Sequence, residues 1–164
     1  MEPTQEILKE YFQYNPETGL FIWKIFRGGG SPKIGTIAGT PHEDGYVKIK
    51  VNGKIYAAHR LAWLYMTGAF PDQEIDHING DGTDNRFSNL REASRTENNR
   101  NTKVRKNNTS GFKRVSKNRH GKWVAHIHAE GRQHYLGAFD TPEAAHEAYC
   151  TAAKTFYGEF ANNG

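Results

Sequence analysis

A chain of 164 residues with 24% charged side chains, a net charge of +4 and a mean hydropathy of −0.82 has the composition of a polar, globular protein. No stretch approaches the roughly 18 consecutive apolar residues of a membrane span, and the opening residues are acidic and amphipathic rather than signal-like. A cytoplasmic protein with no membrane partner is expected. The single cysteine, Cys150, excludes an internal disulfide and a cysteine-rich zinc site, so any metal must rest on His, Asn or carboxylate ligands and zinc is not expected.

In chain order, a short helix is predicted over Gln5 to Phe12, then a turn at Asn15 to Gly19 and a strand from Leu20 to Phe26, broken by Gly28 to Pro32. Tyr46 to Val51 alternates apolar and basic residues, Asn52-Gly53 supplies a tight turn, and Lys54 to Ala57 returns, which predicts a hairpin. Helical spacing of Leu61, Ala62, Leu64 and Tyr65 predicts a helix over Ala58 to Thr67, ended by Gly68. Strands are expected near Glu74 to Ile78 and Asn89 to Glu92, joined by a turn-rich loop over Asn79 to Asn85. A helix then starts at Ser94, where Ser94-Arg95-Thr96-Glu97 reads as a capping box.

This strand-loop-strand-helix segment gathers groups suited to phosphodiester hydrolysis. His77, with an ordinary pKa of about 6.5, can serve as a general base near neutral pH. Asp76 is expected to face away from it along the strand. The carboxylate of Asp76 and the amide oxygen of Asn98 are hard ligands that favour Mg2+, or Mn2+. Asn89 is cast as a clamp across the loop, and Arg91 or Arg95 as the group that binds the phosphate. A calcium loop fails on spacing, because no start in residues 76–92 places its ligands and glycine in register.

Beyond Asn98 the charge changes sign. Residues 1–98 hold 11 Lys/Arg against 13 Asp/Glu, a net of −2, whereas the last 66 residues hold 11 against 5, a net of +6. Ten of those bases lie between Arg100 and Arg132, opposed only by Glu130, the footprint of a phosphate-backbone binder. Residues 102–110 read as a basic linker. Strands predicted over Phe112 to Lys117, Lys122 to Ala129 and Gln133 to Ala138 form an antiparallel meander, and Thr141-Pro142-Glu143 opens a helix with an apolar stripe at Ala145, Ala148, Tyr149, Ala152 and Phe156. Cys150, beside the stripe, reads as a packing residue. The sheet would lay His126, His128 and Tyr135 against DNA, with Arg105, Lys106, Lys113, Arg114, Lys117, Arg119 and Lys122 around them.

Ile75-Asp76-His77-Ile78-Asn79-Gly80-Asp81, with Asn85-Arg86-Phe87-Ser88-Asn89-Leu90-Arg91 and Glu97-Asn98-Asn99, resembles the HNH endonuclease motif of phage and homing enzymes. The resemblance implies a ββα-metal fold, with His77 as general base, Asn89 as the loop-fixing residue, and Asp76 and Asn98 as metal ligands. It also implies a phage-encoded enzyme in a bacterial host. His59-Arg60-Leu61-Ala62 resembles the segment preceding that motif, and either packing or a DNA contact suits His59; Arg60 is taken with the DNA-binding set. The pattern at Gly121 to Ala125, Tyr135 to Thr141 and Glu143 to Ala145 resembles the ethylene-response-factor DNA-binding domain and integrase-like phage relatives.

The expected fold is α+β. An N-terminal hairpin-rich region carries the ββα unit at about 72–101 within a nuclease domain of 1–101. After the linker comes a small domain, 111–164, of three antiparallel strands on one helix. The expected function is metal-dependent cleavage of double-stranded DNA, without an obligate protein partner; the alternative is a non-catalytic DNA-binding regulator.

Overall fold

The computed structural model describes residues 2–25, 33–101, 104 and 108–161. It is an α+β chain that divides into two compact units, Met1–Arg95 and Thr96–Gly164. In the first, helix α1 (Gln5–Tyr11) is capped by Thr4, whose hydroxyl accepts from the Ile7 N–H at 3.4 Å. The helix stops one residue short of the expected Phe12. That residue instead begins strand β1 (Phe12–Asn15), paired antiparallel with β2 (Leu20–Trp23). The alternation Phe12 buried, Gln13 exposed, Tyr14 buried is a strand period, and the aromatic core on one side of it overrides continued helix. Lys24 and Ile25 lie beyond the observed strand; Phe26 and Gly28 to Pro32 fall outside the described residues.

The short strand β3 (Ile37–Ala38) extends this sheet from the β2 side. A second sheet holds β4 (Thr40–Pro41), β5 (Val47–Val51) and β6 (Lys54–Ala57). Its hairpin turns at Asn52 (φ +49°) and Gly53 (φ +83°), two successive left-handed residues whose twist matches that of the strands. Helix α2 (Ala58–Thr67) follows at once and ends where Gly68, at φ +88°, donates back to the Leu64 carbonyl. Leu61, Ala62 and Leu64 of α2 pack with Leu8, Phe12, Phe21, Ile49 and Val51 into one core. Ile75 of β7 (Glu74–His77) and Leu90 of β8 (Leu90–Ala93) reach the same core and so tie the polar hairpin they belong to onto it.

The β1–β2 turn grips the loop of that hairpin. Gly19, at φ +72°, lies so close that a Cβ there would stand 2.4 Å from the backbone of Asn85 and Arg86. The Tyr14 hydroxyl donates to the Asn85 carbonyl at 2.7 Å, and the Phe87 N–H donates to the Pro16 carbonyl at 2.9 Å. Gly19→Ala would meet both a left-handed backbone and an immovable neighbour. We expect it to cost about 3 kcal/mol in urea unfolding, and a loss below about 0.5 kcal/mol, the level of an ordinary surface substitution, would contradict this close approach.

Helix α3 (Arg95–Arg100) starts directly after Ser94 and leads into the second unit. There β9 (Val115–Lys117), β10 (Trp123–Ala129) and β11 (Arg132–Phe139) form an antiparallel sheet in the order β11-β10-β9. Glu130 (φ +52°) and Gly131 (φ +75°) make its tight hairpin turn. The register of β10 on β11 skips Leu136, an extra residue that packs against the core and shifts the strand's alternation by one, so that Phe139 also packs there. Helix α4 (Pro142–Tyr157) is capped by Thr141 and lays Ala145, Tyr149 and Ala153 on Val115, Ala125 and Ile127. Small alanines on the helix let it approach the sheet closely around the one large buried side chain, Tyr149.

Candidate active site and basic sheet

In the two-stranded sheet, Asp76 stands opposite Arg91 and His77 opposite Leu90. That register puts the Arg91 guanidinium on the Asp76 carboxylate: Nε and Nη2 donate to the same oxygen, Oδ2, at 2.9 and 2.8 Å. Asp76 is 3% exposed and Arg91 sits partly buried beside it, so the pair is held away from bulk water. His77, 5% exposed, packs against other groups. Its ring meets that of His59 edge-on at 4.9 Å and lies 5.8 Å from the Tyr46 ring. Both strand neighbours are buried, and they turn to different partners.

The Nε2 atom of His77 is 3.3 Å from Oδ1 of Asn85. The Asn85 amide is oriented by its own Nδ2, which donates to the Thr83 carbonyl at 3.1 Å. An amide oxygen facing Nε2 favours the tautomer with the proton on Nε2, which makes Nδ1 the basic nitrogen of the neutral ring. Burial lowers the His77 pKa below its ordinary value; the Asn85 hydrogen bond and the carboxylates of Asp76, Asp81 and Asp84 oppose that shift. The imidazole is therefore neutral throughout the neutral range.

Asn89 closes the loop. Its Oδ1 accepts from the Asn79 N–H at 3.0 Å, while Nδ2 donates to Asn79 Oδ1 at 3.0 Å and to the Asp84 carbonyl at 2.8 Å. Its own backbone carbonyl accepts from the Ile78 N–H at 2.9 Å, immediately after His77. Asp84 pairs with Arg86, whose guanidinium holds the carboxyl down to about 2. Sequence reasoning did not single out Asn85, Tyr46 or the Tyr14 and Gly19 contacts. Asn85 was at least visible as a member of the Asn85 to Arg91 motif stretch.

His59 is buried between Tyr46 and His77, which its ring meets edge-on, so of the two expected readings it occupies a packing position. Burial pushes its pKa down to about 3, with His77 adding to the effect, and its Nδ1 has no hydrogen-bond partner among the described residues. Above pH 6.5 the ring is neutral in both folded and unfolded chains. As the pH falls, only the unfolded chain takes up the proton, and stability is lost at up to about 1.4 kcal/mol per pH unit from this one group. Urea unfolding at pH 7 and pH 5 should show that loss, and His59→Phe, which retains a packed ring without the titration, should flatten it. An unchanged slope in the variant would assign the acid sensitivity elsewhere.

Asp76, His77, Asn89 and Arg91 thus come together in the first unit, and Asn98 stands half-buried on α3 in the second. No cluster of three or more His, Cys, Asp or Glu side chains able to hold a metal occurs among the described residues. Of the remaining basic residues, Arg60 is half-buried with its guanidinium 5.7 Å from the centre of the Phe70 ring, and Arg95 is exposed. In the second unit Arg114, Lys117, Arg119, Lys122, His128 and Tyr135 are exposed. The His126 ring lies 5.5 Å from Tyr135, Lys117 lies over Trp123, and Lys122 is paired with Asp140. Lys113, expected among the surface cations, is instead turned inward, 8% exposed, and donates to the Arg100 carbonyl at 2.7 Å. Arg105 and Lys106 lie outside the described residues.

The sequence model of the HNH endonuclease family matches residues 56–100. Protein 3.8 of Escherichia phage T7 is 35% identical over 105 residues, which span 63% of this chain and 86% of that protein. Among solved structures, one of DNA binding and cleavage by the HNH homing endonuclease I-HmuI aligns over 92% of this chain and 88% of that one, at 19% identity and a TM-score of 0.43.

Proposed function

Because the chain belongs to one family with Protein 3.8 of phage T7 and carries an HNH endonuclease domain at residues 56–100, we propose that it is a metal-dependent DNA endonuclease with His77 as general base. The observation that carries this reading is the buried imidazole of His77, fixed through Nε2 by Asn85 and next in the strand to Asp76. Nδ1 of His77 takes the proton from the attacking water. Water adds to phosphorus, the bond to the 3′ oxygen breaks, that oxygen takes a proton from solvent, and the strand ends as a 3′-hydroxyl and a 5′-phosphate.

The donor set fits a hard divalent cation, Mg2+ or Mn2+. Asp76 would offer a carboxylate oxygen and Asn98, by its place in the motif, an amide oxygen. When bound, such an ion supplies charge neutralisation at the scissile phosphate. Arg91 steadies the Asp76 carboxylate and adds positive charge beside it, while Asn89 holds the loop that carries Asn85 against His77. The second unit, read as a domain similar to the ethylene-response-factor type, brings the open face of its sheet to double-stranded DNA through His126, His128, Tyr135 and the exposed Arg114, Lys117, Arg119 and Lys122. Arg60 and Arg95 are assigned to the backbone of the same DNA.

Supercoiled plasmid incubated with the full chain should be nicked or linearised with Mg2+ or Mn2+ and remain intact with EDTA. Binding should weaken steeply with salt, because released counterions drive phosphate contacts. Salt-sensitive binding with no cleavage across divalent metals and DNA substrates would leave a non-catalytic DNA-binding regulator as the function.

A further inference from the structure

Beside the sheet residues assigned to DNA, two of which (Arg114 and His128) it shares, the second unit contains a cavity of about 310 Å3 walled by α3, α4, β10 and the turn before β9. Arg100, Lys113 and Arg114 line it together with Thr96, Asn99, Tyr149 and Tyr157. Three cationic side chains meet there, and no carboxylate lines the cavity among the described residues. The arrangement is expensive as it stands. Burial and the nearby Arg114 charge push the Lys113 ammonium down to about 8, so the chain holds like charges together in a partly dry place.

Two further details fix where these cations stand. Arg114 has φ +59°, a left-handed conformation that disfavours a residue with a long side chain. The other described non-glycine residues with positive φ, Asn52 and Glu130, each begin a tight turn finished by Gly53 or Gly131, whereas Arg114 is followed by Val115 of β9. The Arg100 guanidinium is held 4.6 Å from the centre of the Tyr157 ring, and the Tyr157 hydroxyl is anchored on the His128 carbonyl at 2.8 Å. The cavity thus has a rigid aromatic side and a cationic side.

We propose that this cavity is a binding site for a terminal phosphate group, a phosphate monoester or free phosphate, gripped by Arg100, Lys113 and Arg114. A strand running along the surface offers only diesters at its rim, whereas the inward-turned Lys113 can be reached only by a group that enters. The volume stands at the small end of ligand cavities and so admits a phosphate or a single nucleotide end rather than a larger ligand. An entering dianion would offset the repulsion among the cations and accept hydrogen bonds from two guanidinium forks. This inference does not depend on cleavage by His77.

The test is calorimetric titration of the full chain at constant ionic strength with inorganic phosphate, with the 5′-phosphorylated dinucleotide pTpT, and with TpT, which carries only a diester. Saturable binding of phosphate or pTpT, but not TpT, is expected. Arg100→Gln and Arg114→Gln should each weaken it about tenfold, the usual effect of losing one charge-assisted partner, while Lys154→Gln, an exposed cation on α4, should not. Preference for pTpT over inorganic phosphate would identify the source as a nucleic-acid end, and the reverse as the free ion. Equal binding of TpT, no saturable binding of either phosphate, or binding unchanged in both arginine variants would overturn the proposal.

Discussion

Replacing His77 by Ala should slow plasmid nicking by about 10²–10⁴-fold, the range associated with a positioned general base. The same substitution also removes a ring packed against Tyr46 and His59, so a fall in rate could arise from a collapsed pocket. Two measurements separate these causes. Added imidazole should restore part of the lost rate if a missing base is responsible, since it can occupy the vacated space and accept the proton. The midpoint of the wild type's acid limb should lie below the ordinary imidazole value, because burial lowers the His77 pKa and keeps the base neutral to lower pH. An acid limb centred above pH 7, with no rescue by imidazole, would remove His77 from this role.

Asp76→Ala should produce the largest loss of stability among the site substitutions. It leaves the Arg91 guanidinium, 14% exposed, without the carboxylate oxygen that accepts two of its donors. Breaking a buried pair from one side costs about 3–5 kcal/mol, most of it the penalty on the charge left behind. Asp76→Ala combined with Arg91→Ala should therefore lose much less than the sum of the two single changes in urea unfolding. Asp76→Asn keeps the shape and one acceptor oxygen; it should unfold closer to the wild type yet lose its response to Mg2+. If the two single losses simply add, the ion pair does not operate as a unit, and the stabilising role of Arg91 falls with it.

Where the elements have a clear period or a turn dipeptide, the sequence was readable almost to the residue. The hairpin at Asn52-Gly53, α2 with its Gly68 terminus and the meander around Glu130-Gly131 are of this kind, since each is determined by local twist and by one buried face. Strands β3 and β4, of two residues each, have no such signal and exist only because a partner strand is already in place. In the site, Asp76 and His77 stood out as chemistry in a polar loop. Asn85 and Tyr46 did not, because their value comes from contacts made across the fold. Lys113 shows the same limit in reverse: a count of charges treats every lysine as solvated, and this one points at a carbonyl. His59 was open to two readings until its two aromatic neighbours were known.

The grip of the β1–β2 turn on the loop after His77 bears on how portable the HNH segment is. Residues 56–100 hold the matched family segment, yet Tyr14, Pro16 and Gly19 supply contacts that shape the loop from Asn85 to Phe87. A minimal excised domain that begins at residue 56 would leave Asn85 without that outside brace, and with it the alignment of the His77 ring. Any graft onto another DNA-binding scaffold must therefore transplant the first two strands as well.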